Sequence, residues 1–105
     1  MPHQLTLVAL IRAKPGKAEE LGRRLLALVE PTRAEPGCIN YDVHRSNDDP
    51  ALWIMHENWH SPADLDAHFR TPYLKDFIAH SEEPLAREMD LYRCTMMSHP
   101  APVRV

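Results

Sequence analysis

The chain has 105 residues, 44% of them hydrophobic, a net charge of −3 and a pI near 6.1. That describes one globular domain with a single core, and with no basic block it argues against nucleic acid or anionic membrane as partners. No apolar run is long enough to span a bilayer and the MPHQLTL start lacks a signal peptide's charged and apolar regions, so a cytoplasmic setting is expected, with Cys38 and Cys94 as reduced thiols.

Leu5 to Ala13 (LTLVALIRA) is apolar on both alternations, the pattern of a central strand covered on both faces. Pro15-Gly16 ends it. Lys17 to Glu30 has helical period, with Ala18, Leu21, Leu25, Leu28 and Val29 on one face. Glu19–Arg23 and Glu20–Arg24 form i,i+4 pairs on the other face. Gly22 within the buried half predicts close approach of helix and sheet. Pro31 is expected to end or kink this helix near Val29. Glu35-Pro36-Gly37 is a turn. Cys38 to Arg45 alternates as a half-exposed strand, with Ile39, Tyr41 and Val43 on one side. SNDDP (46–50) is a hairpin-like turn. Ala51 to Trp59 is a third strand, with Trp53, Met55, Glu57 and Trp59 sharing a face.

Next comes IMHENWHSPADLDAHFRTPYLKDF (54–77), which closes that strand and opens two short helices. Ser61 reads as an N-cap, Pro62 as the first helical residue and Asp64 as the third, a capping-box variant. Leu65, His68 and Phe69 then fall on one helical face. Thr71-Pro72 repeats the start signal, and Tyr73, Leu74, Phe77 and Ile78 form the second helix's apolar face. Ser81 to Pro84 is a loop, and Ala86 to Met97 alternates as a fourth strand. The tail, residues 98–105, is expected to lie over the surface or a partner.

The order βαββαβ, folded through right-handed crossovers, gives a ferredoxin-like α+β domain with an antiparallel sheet in spatial order 4-1-3-2. The second and fourth strands become opposite edges, which separates Cys38 from Cys94. The helices cover one sheet face and leave the other bare. Large apolar residues on both faces of the first and third strands then predict a homodimer.

The segments IRAKPGKAEEL, EPGCINYDVH and ENWHSPADLDAHFRTPYLKDF resemble the antibiotic biosynthesis monooxygenase domain, including its quinol monooxygenase branch, over about Leu5 to Arg93. The resemblance implies a dimeric α/β barrel made of two facing sheets, with a pocket between sheet and helices in each subunit. It implies oxidation of phenolic, hydroquinone or polycyclic aromatic small molecules by O₂ with no bound flavin, haem or metal cofactor. Other members degrade haem, isomerise a small sugar-derived signal, or have no known activity. The haem-degrading branch also uses an Asn on the first strand, and Leu5 to Ala13 contains none.

Direct reaction with O₂ needs an electron-rich substrate anion, so the protein must take a proton, hold the anion and exclude water. His68 fits the first task, with a pKa near working pH and a place on the helix face turned to the sheet. Trp59 could stack on a flat ring and donate its indole N–H to a substrate oxygen. The family's Trp and His match these two positions. Phe69, Tyr73, Phe77 and Tyr41 complete the expected substrate wall. Each has a plainer alternative. His68 could be a packed histidine bonded to a backbone carbonyl. Trp59, Phe69 and Phe77 could be core, Tyr41 could face a dimer interface, and Glu57 could orient an imidazole or pair across that interface. The gly-scarce chain holds no GxGxxG or P-loop, and none of its seven histidines stands at a zinc spacing, so no metal is expected.

Overall fold

Residues 4–99 are described by a computed structural model. The sheet runs β2 (Cys38–Arg45), β3 (Leu52–Trp59), β1 (Leu5–Arg12), β4 (Asp90–Cys94), antiparallel throughout, which is the predicted 4-1-3-2 order. Its centre is set by composition. β1 and β3 pair along their whole length, Leu5 opposite Trp59 to Arg12 opposite Leu52. The alternate residues Leu7, Ala9 and Ile11 meet Glu57, Met55 and Trp53 on the covered face. Gly16, at φ +79°, makes the left-handed turn that leads from β1 into the first helix. Cys38 and Cys94 are free, on opposite edges of the sheet.

The helix kinks where Pro31 predicts, near Val29: α1 (Ala18–Ala27) ends there, and α2 (Val29–Arg33) continues beyond the proline. Pro31 lacks the N–H that would bond Ala27 and its ring clashes with that carbonyl, so the break falls at Leu28. Within the first turn of α2 the missing donor is harmless. Leu21, Leu25 and Leu28 are buried as expected, each contributing about 2 kcal/mol of apolar burial. A Cβ on Gly22 would lie 2.5 Å from the Trp53 ring, so the close approach of helix and sheet is real. Of the two expected ion pairs, Glu20–Arg24 forms at 2.7 Å, whereas Glu19 pairs with Arg45 at 2.8 Å instead of Arg23.

α3 (Pro62–Phe69) begins on Ser61, whose hydroxyl accepts from the Asp64 amide at 3.2 Å. The Asp64 carboxylate takes the Ser61 hydroxyl proton at 2.8 Å rather than a backbone N–H. α4 (Pro72–Ala79) starts after Thr71, whose hydroxyl donates to the His68 carbonyl at 2.7 Å and so caps the end of α3. Leu74 and Phe77 face the core, but Ile78 is exposed and leaves the predicted apolar face.

Two strand predictions need correction. A bulge between Cys38 and Asn40 sends Ile39 to solvent and places Cys38, not Ile39, on the covered face with Tyr41. β4 is shorter than 86–97 because its partner runs out. Cys94 already faces Thr6 near the start of β1, and only an isolated Ala13–Leu85 bridge precedes Asp90. Asp90 is fixed by Arg12 at 2.7 Å and Arg87 at 2.6 Å, which hold its carboxyl below the usual range. Ser98 and His99 are exposed, and the rest of the tail lies outside the described residues.

No helix among the described residues is long and apolar enough to cross a membrane. Among the described residues no helix lies over the second sheet face. Val8, Leu10, Leu52 and Ile54 stand half-buried there, with Tyr92 about half exposed beside them. Polar groups frame this strip, among them Asn58, which accepts from Gln4 and Thr6 and donates to Asn40.

Candidate active site

The reversal after Trp59 builds the site. His60 and Ser61 turn the chain, and the Ser61 cap aims α3 back over the end of β3. One helical turn after Leu65, His68 lands on Trp59, ring centroids 4.7 Å apart and tilted by 36°. Tyr41 from β2 meets the same imidazole edge-on at 5.5 Å, and Phe69 lies 5.8 Å away. His68 is only 2% exposed.

The imidazole is oriented by a carboxylate. His68 Nδ1 lies 2.8 Å from Glu35 Oε2, and the Tyr73 hydroxyl donates to that same oxygen. Glu35 Oε2 is an acceptor toward Tyr73, and with the same role toward His68 it assigns the hydrogen to Nδ1 and the lone pair to Nε2. Nε2 makes no hydrogen bond among the described residues. Burial lowers the His68 pKa, and Glu35 offsets this only in part. The ring is therefore a neutral base at pH 7. Burial first, and then Glu35, push the Tyr73 phenol up to about 12, so it remains a donor.

A second carboxyl lies deeper. Glu57 is 3% exposed, between Leu7 and Tyr41 on the covered face of the sheet. Its Oε1 accepts from Trp59 Nε1 at 3.0 Å. Glu57 therefore neither orients an imidazole nor reaches an interface. The indole N–H likewise is committed within the protein and not free for a substrate. Burial raises the Glu57 pKa to about 7, opposed by the Trp59 hydrogen bond and reinforced by Glu35. Burial and the neighbouring Glu57 hold the Tyr41 phenol protonated. Cys38 is pushed up to about 11, chiefly by burial and then by Glu35, so it is no thiolate nucleophile.

His68, Glu57, Tyr41, Phe69 and Phe77 line a cavity between sheet and helices, with Met89 and Leu91 also in its wall. It offers about 30 Å³ to a water-sized molecule, far below the ~300 Å³ at which ligand pockets begin. Trp59 backs His68 and does not line this space. Tyr73 is also absent from it. Its ring lines an outer groove of about 440 Å³ together with Arg24, Leu28, Asp76, Phe77 and His80, and only its hydroxyl reaches inward, to Glu35.

Residues 4–80 match the family described as Antibiotic biosynthesis monooxygenase. The chain belongs to this family. It is 36% identical over 85 residues to an uncharacterised Synechocystis protein, sll1783, of whose length it spans 58%, the match taking 79% of this chain. It is 32% identical to the Bacillus subtilis protein named "Putative monooxygenase YcnE", over 85% of this chain and 94% of that one. The crystal structure of PA3566 from Pseudomonas aeruginosa superposes with a TM-score of 0.88 at 39% identity, covering 93% of this chain and 98% of that one.

In this antibiotic biosynthesis monooxygenase domain the structure brings two carboxyls, Glu35 and Glu57, beside the residues the sequence groups around His68. Glu35 had been read only as part of a turn. Its signal was available, since a carboxylate that opens the EPGC segment is dispensable for a turn that Pro36-Gly37 already makes. Glu57 had been placed on the correct face, but with the wrong partner. His68 and Trp59 do come together, with Tyr41 and Phe69 around them, and the plain reading of His68 as bonded to a backbone carbonyl does not hold.

Proposed function

We propose that the domain is a monooxygenase that oxidises a phenol, hydroquinone or polycyclic aromatic with O₂ and without a bound cofactor. The observation that carries this reading is a buried, neutral imidazole beside an apolar cavity, with Nδ1 pinned by Glu35 and Nε2 making no hydrogen bond among the described residues. His68 Nε2 takes the proton of the ring hydroxyl, and the anion, shielded from water, has the electron density that O₂ requires. O₂ adds at a ring carbon, the proton on His68 returns to the peroxide, and loss of water leaves a carbonyl there. One oxygen atom stays on the ring and the other leaves as water. Trp59 holds the imidazole in place, and Phe69, Phe77 and Tyr41 wall the ring. Tyr73 acts through Glu35. The narrow cavity admits the ring by displacement of side chains on its Met89 and Leu91 side, where Leu91 is exposed.

His68→Ala is expected to slow O₂ consumption with a panel of hydroquinones by about 100-fold, at matched folding. An unchanged rate would remove the role given to His68. No O₂ uptake by the wild type with any aromatic would shift the domain to a proton-transfer isomerase or a binding module.

We further propose that the bare strip of Val8, Leu10, Ile54 and Tyr92 joins two copies into a barrel-like homodimer. The strip is apolar at its centre and polar at its border, as an interface core and rim are. Sedimentation at micromolar concentration should give a dimer, and Ile54→Asp should give a monomer. A stable wild-type monomer would refute it.

A further inference from the structure

We propose that Glu57 is the second proton-exchanging group of the cavity: its protonated carboxyl donates a hydrogen bond to one oxygen of a bound ring while His68 Nε2 accepts the proton of a hydroxyl on the same ring. The inference rests on the ring-binding reading above and specifies its ligand. That ligand is an aromatic bearing an acidic hydroxyl and a second, hydrogen-bond-accepting oxygen, with no charge of its own to oppose a carboxyl.

Three observations carry it. Glu57 and His68 line one cavity from opposite layers, β3 and α3, and Tyr41 is the remaining titratable side chain in its wall. Among the described residues only one Glu57 oxygen accepts a hydrogen bond, from Trp59 Nε1. A carboxyl 3% exposed at this depth is kept without a cation, since nothing among the residues that perturb it is positively charged. A purely structural acceptor for the indole would be served as well by an amide.

The groups facing Glu57 are consistent with an acid. From β2 come the Tyr41 phenol and the Cys38 thiol, both held neutral, and from the loop before β2 comes Glu35, whose negative charge opposes ionisation. α3 contributes the neutral His68, and β1 contributes Leu7, which does not titrate. Together with burial these put the Glu57 midpoint at about 7. Between the lowered His68 pKa and the Glu57 midpoint the cavity then holds a base and an acid that are both uncharged, the arrangement in which one proton can be taken and another lent with no net charge brought inside.

The test uses the whole chain and 4-methoxyphenol, whose hydroxyl, like that of tyrosine, stays protonated well past pH 8. Its affinity is measured by calorimetry across the neutral range for the wild type and for Glu57→Gln. The amide keeps an acceptor for Trp59 Nε1 and a permanent donor toward the cavity. Wild-type affinity should fall about tenfold as the pH rises above 7, and that of Glu57→Gln should stay level. Parallel slopes, or no binding by the wild type at any pH, would overturn the proposal. A readout that needs no variant is the ¹³C titration of the Glu57 carboxyl, where a midpoint at the ordinary 4.5 would also overturn it. Neither measurement involves oxygen. Absent O₂ uptake with the slope intact leaves Glu57 in its role toward a ligand that is not oxidised, whereas O₂ uptake with level slopes removes Glu57 alone.

Discussion

Replacing Trp59 by alanine is expected to cost about 4 kcal/mol of folding stability. The indole is completely buried, with its face against His68 at 4.7 Å and its N–H on Glu57 at 3.0 Å. Truncation leaves a cavity beneath the imidazole and strands a buried carboxyl oxygen, which alone costs about 1–3 kcal/mol. Against a total of ~5–15 kcal/mol this brings the domain close to unfolding at room temperature. Urea denaturation measures it as a lower midpoint at constant slope. Trp59→Phe separates the contributions, because the ring survives and the donor is lost. That variant should be destabilised less, and its Glu57 pKa should rise further, since the indole hydrogen bond is what opposes it. A loss under about 1 kcal/mol for Trp59→Ala would show that the Trp59–His68–Glu57 cluster does not anchor the fold.

Glu57→Gln should do the reverse and stabilise the protein in alkaline solution. A carboxyl raised from 4.5 to about 7 favours the folded state fully below pH 4.5, and that contribution is lost as the pH rises through 7. By pH 8.5 the loss is about 3 kcal/mol. The amide has no such cost, so its advantage should be largest near pH 8.5 and should vanish near pH 4.5. His68 works in the opposite sense. Its pKa is lowered, so its contribution is complete above its ordinary 6.5 and is lost as the pH falls below that value. The two contributions therefore run against each other between pH 4.5 and 7, and Glu57→Gln should keep only the loss at acid pH that His68 causes. Thermal denaturation across pH checks this, and equal pH profiles for the two proteins would exclude a raised Glu57.

Patterns that depend on local spacing were legible in the sequence. The doubly apolar LTLVALIRA fixed the central strand, and SPAD and TP marked two helix starts to the residue. What failed depended on partners far along the chain. The Ile39 bulge is set by how β2 meets β3, and the extent of β4 by where β1 begins. The site divides in the same way. Trp59 and His68 are nine residues apart and joined by one turn, so they could be paired by inspection. Glu35 is 33 residues from His68 and 38 from Tyr73, and only the fold brings these three side chains to one oxygen.

Leu28 and Phe77 each line both the inner cavity and the outer groove. They form a partition one side chain thick, so the two volumes cannot change independently. A ring that enters the cavity pushes Phe77 outward and narrows the groove. A molecule that wedges into the groove presses Phe77 inward and shuts the cavity further. Occupants of the two compartments are therefore antagonists, and the penalty that one imposes on the other is the same in either direction.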